Sequence, residues 1–265
     1  MQLVHPKPHK TYRMEEFDQL DNLLSKYSYP IFTFSDNIQH AATAFFFEEN
    51  GNTFLVSNYH AIKGMSPMHN RQNWKSNTLH LKINNPETNE FQIINIDIRE
   101  EVTGQTEVFF MDSRIDLFKV KINIQNLHLN FINDLINPSY FDSIPNRVLI
   151  YGYPNSDEIQ DIFWSKLSKF DSQYNIEGFD NLYNGTIRNM PNFYERDSMY
   201  ALNRFYFFIN GMIPGGYSGA PIIGEFENDK NEKVYQFIGV NFGNEPFSNQ
   251  TWAIRGNTAL EYMTN

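Results

Sequence analysis

The chain has 265 residues, 41% of them hydrophobic and none of them cysteine, and a formal net charge of −10. That length and apolar share can bury one or two compact cores, and with no cysteine no disulfide contributes. The acidic balance, with no basic stretch to offset it, excludes a typical nucleic-acid-binding protein. No apolar run is long enough to span a bilayer, so no membrane partner is expected. The opening residues Met1 to Lys10 lack the hydrophobic core of a secretory signal, which points to a cytoplasmic protein.

In chain order, His5 and His9 sit in a Pro-rich terminus that reads as mobile rather than metal-binding. Phe17, Leu20, Leu23, Leu24 and Tyr27 recur at helical spacing, predicting an amphipathic helix over Met14 to Tyr27. One apolar stripe is what packing on the barrel requires, and that is the expected role; a docking surface or an inhibitory segment is the alternative. Short runs rich in Phe, Ile, Val, Tyr and Thr follow, broken by Asn, Gly, Asp and Pro, as strands are. Ala42 to Phe47 and Thr53 to Val56 form a hairpin about Asn50-Gly51, a dipeptide suited to a tight turn. Leu79 to Ile83, Phe91 to Ile98 and Leu117 to Ile122 complete a first barrel, and residues 131–146 cross over. Arg147 to Tyr153, Gly185 to Asn189, Phe205 to Ile209, Ala220 to Glu225 and Val234 to Phe242 build a second. Asn257 to Met263 closes the chain as a short helix. The expected organisation is an all-β double barrel: an extension over 1–30, a first barrel over 31–130, the crossover, and a second barrel with its helix over 147–265. Glu227 to Lys233 is a charged hairpin tip. Asn184-Gly185-Thr186 and Asn249-Gln250-Thr251 fit the glycosylation pattern, which has meaning only in a secreted protein.

The segment Pro214-Gly215-Gly216-Tyr217-Ser218-Gly219-Ala220-Pro221 carries the chemistry. A Gly- and Pro-rich run is ordinary turn punctuation, but here a serine stands between glycines that let a backbone approach a substrate closely. Two further segments accompany it: an apolar strand running into Ser57-Asn58-Tyr59-His60, and Asp116 leading the alternating run Leu117 to Ile122.

Together these resemble the three catalytic segments of the trypsin/chymotrypsin-like serine proteases, in that family's order of His, Asp, Ser. Tyr151-Gly152-Tyr153-Pro154 is similar to a strand end of its bacterial members, the glutamyl-endopeptidase-like and heat-stress proteases. Phe237 to Gly243 resembles the strand that follows the serine. The resemblance spans roughly residues 31 to 256. It implies two six-stranded antiparallel barrels with the site in the cleft between them, and a serine endopeptidase that needs no cofactor and no metal. By the same resemblance His60, Asp116 and Ser218 are catalytic, and the N–H groups of Gly216 and Ser218 form the oxyanion hole. Met212, Ile213, Asn241, Phe242 and Gly243 would line the specificity pocket. Met212 stands where a preference for basic residues needs an acidic one, and Asn241 where glutamate-specific relatives carry histidine. An apolar residue, small to medium, is therefore expected before the cleaved bond, in a protein or peptide substrate. Two positions depart from the pattern. Ala220 replaces a commoner glycine, and Tyr217 replaces the aspartate that pairs with a newly released N-terminus. Activation by N-terminal trimming is thus not expected, and the resemblance leaves room for an activating partner or oligomer, or for a gated or non-cleaving peptide-binding module.

Overall fold

A computed structural model describes residues 19–20, 22–35, 38–63, 76–85, 90–98, 109–112, 115–123, 127–141, 143, 145–153, 168–170, 206–210, 213, 215–245 and 250–264. Met212, the expected strand Gly185 to Asn189, His5, His9 and both glycosylation patterns' asparagines lie outside them.

Thirteen strands among the described residues form two antiparallel sheets. The first contains β1 (Tyr29–Ser35), β2 (Ile38–Glu49), β3 (Asn52–Ser57), β4 (Thr78–Asn85), β5 (Glu90–Asp97), β6 (Phe109–Asp112) and β7 (Leu117–Ile122), in the order β5-β4-β1-β2-β3-β7-β6. The second contains β8 (Arg147–Ile150), β9 (Ser168–Phe170), β10 (Tyr206–Asn210), β11 (Pro221–Glu227), β12 (Lys233–Glu245) and β13 (Gln250–Arg255), in the order β10-β13-β12-β11-β8-β9. The first sheet has one strand more than expected, because the short β6 adds along β7 through Phe109↔Val120 to Asp112↔Leu117.

The long β2 explains how the first sheet curls. Its first half pairs with β1 through Ile38 to Ala44, and its second half with β3 through Phe45 to Glu49. The Asn50-Gly51 turn has φ of 51° and 74°, the left-handed pair that a type I′ hairpin demands. The run Phe45-Phe46-Phe47 breaks polar–apolar alternation because both faces of β2 are covered. Phe45 and Phe47 point into a cluster with Phe54, Val56, Leu149, Phe237 and Trp252, which joins the two sheets. Phe46 points the other way, into the core of the first sheet with Ala44, Leu55 and Phe118.

The N-terminal stripe packs into the cluster that joins the sheets: residues 19–20 and 22–24 are helical, and Leu20, Leu24 and Tyr27 are buried there. The crossover holds two 3-10 turns, Ile132–Leu135 and Pro138–Tyr140. The closing helix α2 (Gly256–Met263) buries Ala259 and Met263. Its last carbonyl, that of Met263, accepts 2.6 Å from Nζ of the buried Lys119 on β7. β8 ends at Ile150, short of the expected Tyr153. Its pairing with β11 stops at Ile150↔Ile222, next to a register shift, and Tyr151 to Tyr153 leave the sheet toward the first barrel.

Candidate active site

β3 ends at Ser57, and the one-turn helix α1 (His60–Lys63) begins at once. Between them Asn58 and Tyr59 turn the chain, closed by Ala61 N–H to Asn58 O at 3.1 Å and Ile62 N–H to Tyr59 O at 3.1 Å. Thr33 Oγ1 donates to Ala61 O at 3.0 Å and pins α1 to β1. His60 is thereby fixed just beyond the end of β3, its side chain 21% exposed.

Asp116 precedes β7 with φ of 62°, a left-handed conformation that aspartate adopts more readily than most residues. Four hydrogen bonds join it to residues 58–60. Its backbone carbonyl accepts from Tyr59 N–H at 3.1 Å and from Asn58 Nδ2 at 2.9 Å. Its carboxylate accepts the His60 backbone N–H on Oδ1 at 2.8 Å and meets His60 Nδ1 through Oδ2 at 2.5 Å. The carboxylate is fully buried. A buried carboxylate beside Nδ1 fixes that nitrogen as the protonated one and leaves Nε2 as the acceptor. Burial alone would pull the His60 imidazole below the usual histidine range, but the charge and hydrogen bond of Asp116 outweigh it and the net shift is upward. Burial likewise pushes the Asp116 carboxyl up, with His60 partly offsetting it.

The serine loop comes from the second sheet, just before β11. Ala220 N–H donates to Tyr217 O at 2.9 Å, closing a four-residue turn with Ser218 second and Gly219 third. Gly219 has φ of 82°, the value the third residue of a type II turn requires. A side chain there would also collide with Ser57 Oγ and the Thr43 carbonyl, and would come within 2.9 Å of Asn58 N. The turn thus lies against the segment that carries His60, and Ser218 itself stays part-exposed. Gly216 is left-handed as well, with φ of 95°.

Thr43 on β2 is the junction that the sequence reading passes over. Its N–H donates to Ser218 O at 2.8 Å and its Oγ1 to Gly216 O at 2.9 Å. The same hydroxyl accepts from Tyr153 N–H at 3.1 Å, and the Thr43 carbonyl accepts from Ser57 Oγ at 2.6 Å. One buried threonine therefore ties the serine loop to the first barrel and to the end of β8. Nothing in the run Ala41-Ala42-Thr43-Ala44 signals this, because every partner is distant in sequence.

Of the remaining expected site residues, Phe242 is buried, with its ring centroid 6.4 Å from that of His60. Gly243 is part-exposed at a register shift in β12, and, its chain neighbours aside, no heavy atom of the described residues lies within 4 Å of where a Cβ would sit. Asn241 is buried beside the serine turn, and Ile213 is buried in the second sheet's core, its N–H donating to Thr251 Oγ1 at 3.1 Å. Tyr217 is buried with its ring over Gly152. Among the described residues no cluster of His, Asp and Glu could hold a metal ion, and no helix is long and apolar enough to cross a membrane.

No protein-family model and no curated protein matches the chain. Solved structures do. The serine endoprotease from Yersinia pestis superposes with a TM-score of 0.54 at 14% identity, over 93% of this chain and 65% of its own. The chain thus spans about two thirds of that protein's length. Deg5 gives a TM-score of 0.51 at 13% identity, over 96% of this chain and 95% of its own. A scabies mite inactivated protease paralogue gives 0.52 at 9% identity, over 91% and 93%. The fold is that of the trypsin-like serine proteases, two antiparallel β-sheet halves with a closing helix.

Proposed function

We propose that the chain is a serine endopeptidase that hydrolyses peptide bonds through an acyl-enzyme, with His60, Asp116 and Ser218 as its triad. The observation that carries this reading is the His60–Asp116 pair, held by four hydrogen bonds, set against a glycine turn that leaves a serine part-exposed.

A serine hydroxyl is a poor nucleophile at neutral pH and needs a base beside it. With Nδ1–H engaged by Asp116, His60 has Nε2 free to take the Ser218 proton as Oγ attacks the carbonyl carbon. The oxygen that gains the electron pair is met by the N–H groups of Gly216 and Ser218. Collapse of the tetrahedral intermediate breaks the C–N bond, and His60 returns the proton to the departing amine. Water then attacks the ester by the same route and frees the acid and the serine. Asp116 stays ionised throughout and stabilises the imidazolium that forms at each step.

The room at Gly243 among the described residues supports a pocket for the substrate residue before the cleaved bond, and Met212, standing where a basic preference needs an acid, favours an apolar, small to medium side chain there. The substrate is a protein or peptide. Peptide libraries varied at that position, with the Ser218→Ala variant as the blank, test both statements: cleavage after apolar residues is expected, and cleavage after Lys, Arg or Glu would overturn the assignment.

A second reading is a peptide-binding module of the same fold that does not cleave. It is favoured by the inactivated paralogue among the superposable structures. Peptide binding by the wild type without turnover would support it.

A further inference from the structure

The carbonyl of Tyr217 accepts two hydrogen bonds. One comes from Ala220 N–H and closes the serine turn; the other comes from the side chain of Asn241, whose Nδ2 lies 2.8 Å away. The backbone of Asn241 serves the same turn, since its N–H donates to Ala220 O at 2.8 Å and its carbonyl accepts Gly219 N–H at 2.9 Å. A single residue of β12 therefore makes three of the bonds that hold four residues of loop. Only the amide nitrogen of an asparagine can serve a carbonyl, so its orientation is set. That leaves Oδ1 buried with no hydrogen-bond partner among the described residues. A buried acceptor left without a partner costs stability.

The Tyr217 carbonyl and the Ser218 N–H belong to one planar peptide unit and point in opposite directions across it. Gripping the oxygen at two points therefore aims the N–H. We propose that Asn241 is a positioning residue for the oxyanion hole: its side-chain amide, acting through the shared peptide plane, directs the Ser218 N–H at the developing negative charge. This rests on Ser218 being the nucleophile. It gives the half-satisfied amide a purpose that packing does not, because an oxyanion donor works only if aimed beforehand at the place where charge will appear.

The test uses the full chain with Asn241→Leu, which matches the side chain in size and keeps both backbone bonds, and Asn241→Asp, which sets a carboxylate against the carbonyl. Active sites are titrated with a fluorophosphonate, and kcat per titrated site, KM and affinity for a peptide boronate are measured. We expect kcat to fall by about 10- to 100-fold in the Leu variant and further in the Asp variant, with boronate affinity falling in step. KM should stay within about twofold, the pattern of an interaction made only in the transition state. A merely structural role would lower melting temperature and the titratable fraction while leaving kcat per site unchanged, and that result overturns the proposal. Should the Leu variant not fold, Asn241→Ala reads the same ratio. A wild type that neither labels nor hydrolyses would instead sink the protease reading, and the positioning role with it.

Discussion

The ring of Tyr217 lies so close over Gly152 that a Cβ on the glycine would sit 2.5 Å from the ring's Cδ1. Tyr217 immediately precedes Ser218, and its ring is buried among Val148, Ile150 and Ile222. The residue before the serine is thus anchored by apolar packing in a place made by a missing side chain. Gly152→Ala forces the ring to move inside a packed core, which typically costs about 1–3 kcal/mol. We expect a lower melting temperature together with slower labelling of Ser218. Unchanged labelling at the lower melting temperature would separate the anchor from the site.

His60 and Asp116 give a pH dependence of definite sign. On the proposed triad, catalysis needs neutral His60, and Asp116 raises its pKa, so kcat/KM should climb with pH along a limb displaced above the ordinary histidine value. For stability the same shift acts in reverse. Protonated His60 favours the folded state below the ordinary histidine value, and this contribution is lost as pH rises through the raised folded value. Asp116→Asn should move the rate limb downward and reduce kcat by roughly 10⁴-fold, as loss of tautomer control does elsewhere. A pH–rate profile of the two proteins checks both points.

Thr43 supplies a hydroxyl that both donates to Gly216 O and accepts from Tyr153 N–H. Thr43→Val keeps the shape and takes this hydroxyl from two buried backbone groups, at about 1–3 kcal/mol for each. Thr43→Ser keeps the hydroxyl and should retain most of the activity. Equal turnover in the Val and Ser variants would show that the serine loop does not depend on this bond.

Lys119 is buried, with Nζ on the Met263 carbonyl at 2.6 Å, on Glu49 at 3.2 Å and 4.8 Å from the centre of the Phe54 ring. It ties the closing helix to the strand that follows Asp116. Lys119→Ala should destabilise the protein by roughly 1.5–3 kcal/mol, the worth of hydrogen bonds to a charged group. Denaturant titration measures this. A loss within about 0.5 kcal/mol, the range of ordinary surface changes, would mean that α2 docks without it.

Local chemistry made much of the fold and of the candidate site legible. Asn50-Gly51 announces its hairpin because few other pairs tolerate two left-handed residues. His60, Asp116 and Ser218 stand out because each follows or precedes a strand in a recognisable setting. Where partners are distant, the sequence is silent. Lys119 alternates with Lys121 and reads as solvent-facing, yet α2 covers it. Thr43 sits in an alanine run, and Asn241 reads as a pocket residue, while their hydrogen bonds run to a loop more than twenty residues away. The strands β1, β6, β9 and β13 also escape the reading. β6 and β9 have only four and three residues, and β13 mixes polar ends with its apolar centre.

The most direct test of the central claim is the intact mass of the folded protein after fluorophosphonate treatment, beside Ser218→Ala and His60→Ala. An activated serine in a formed oxyanion hole predicts one adduct on the wild type and none on either variant. A folded wild type that takes up no adduct would contradict the account.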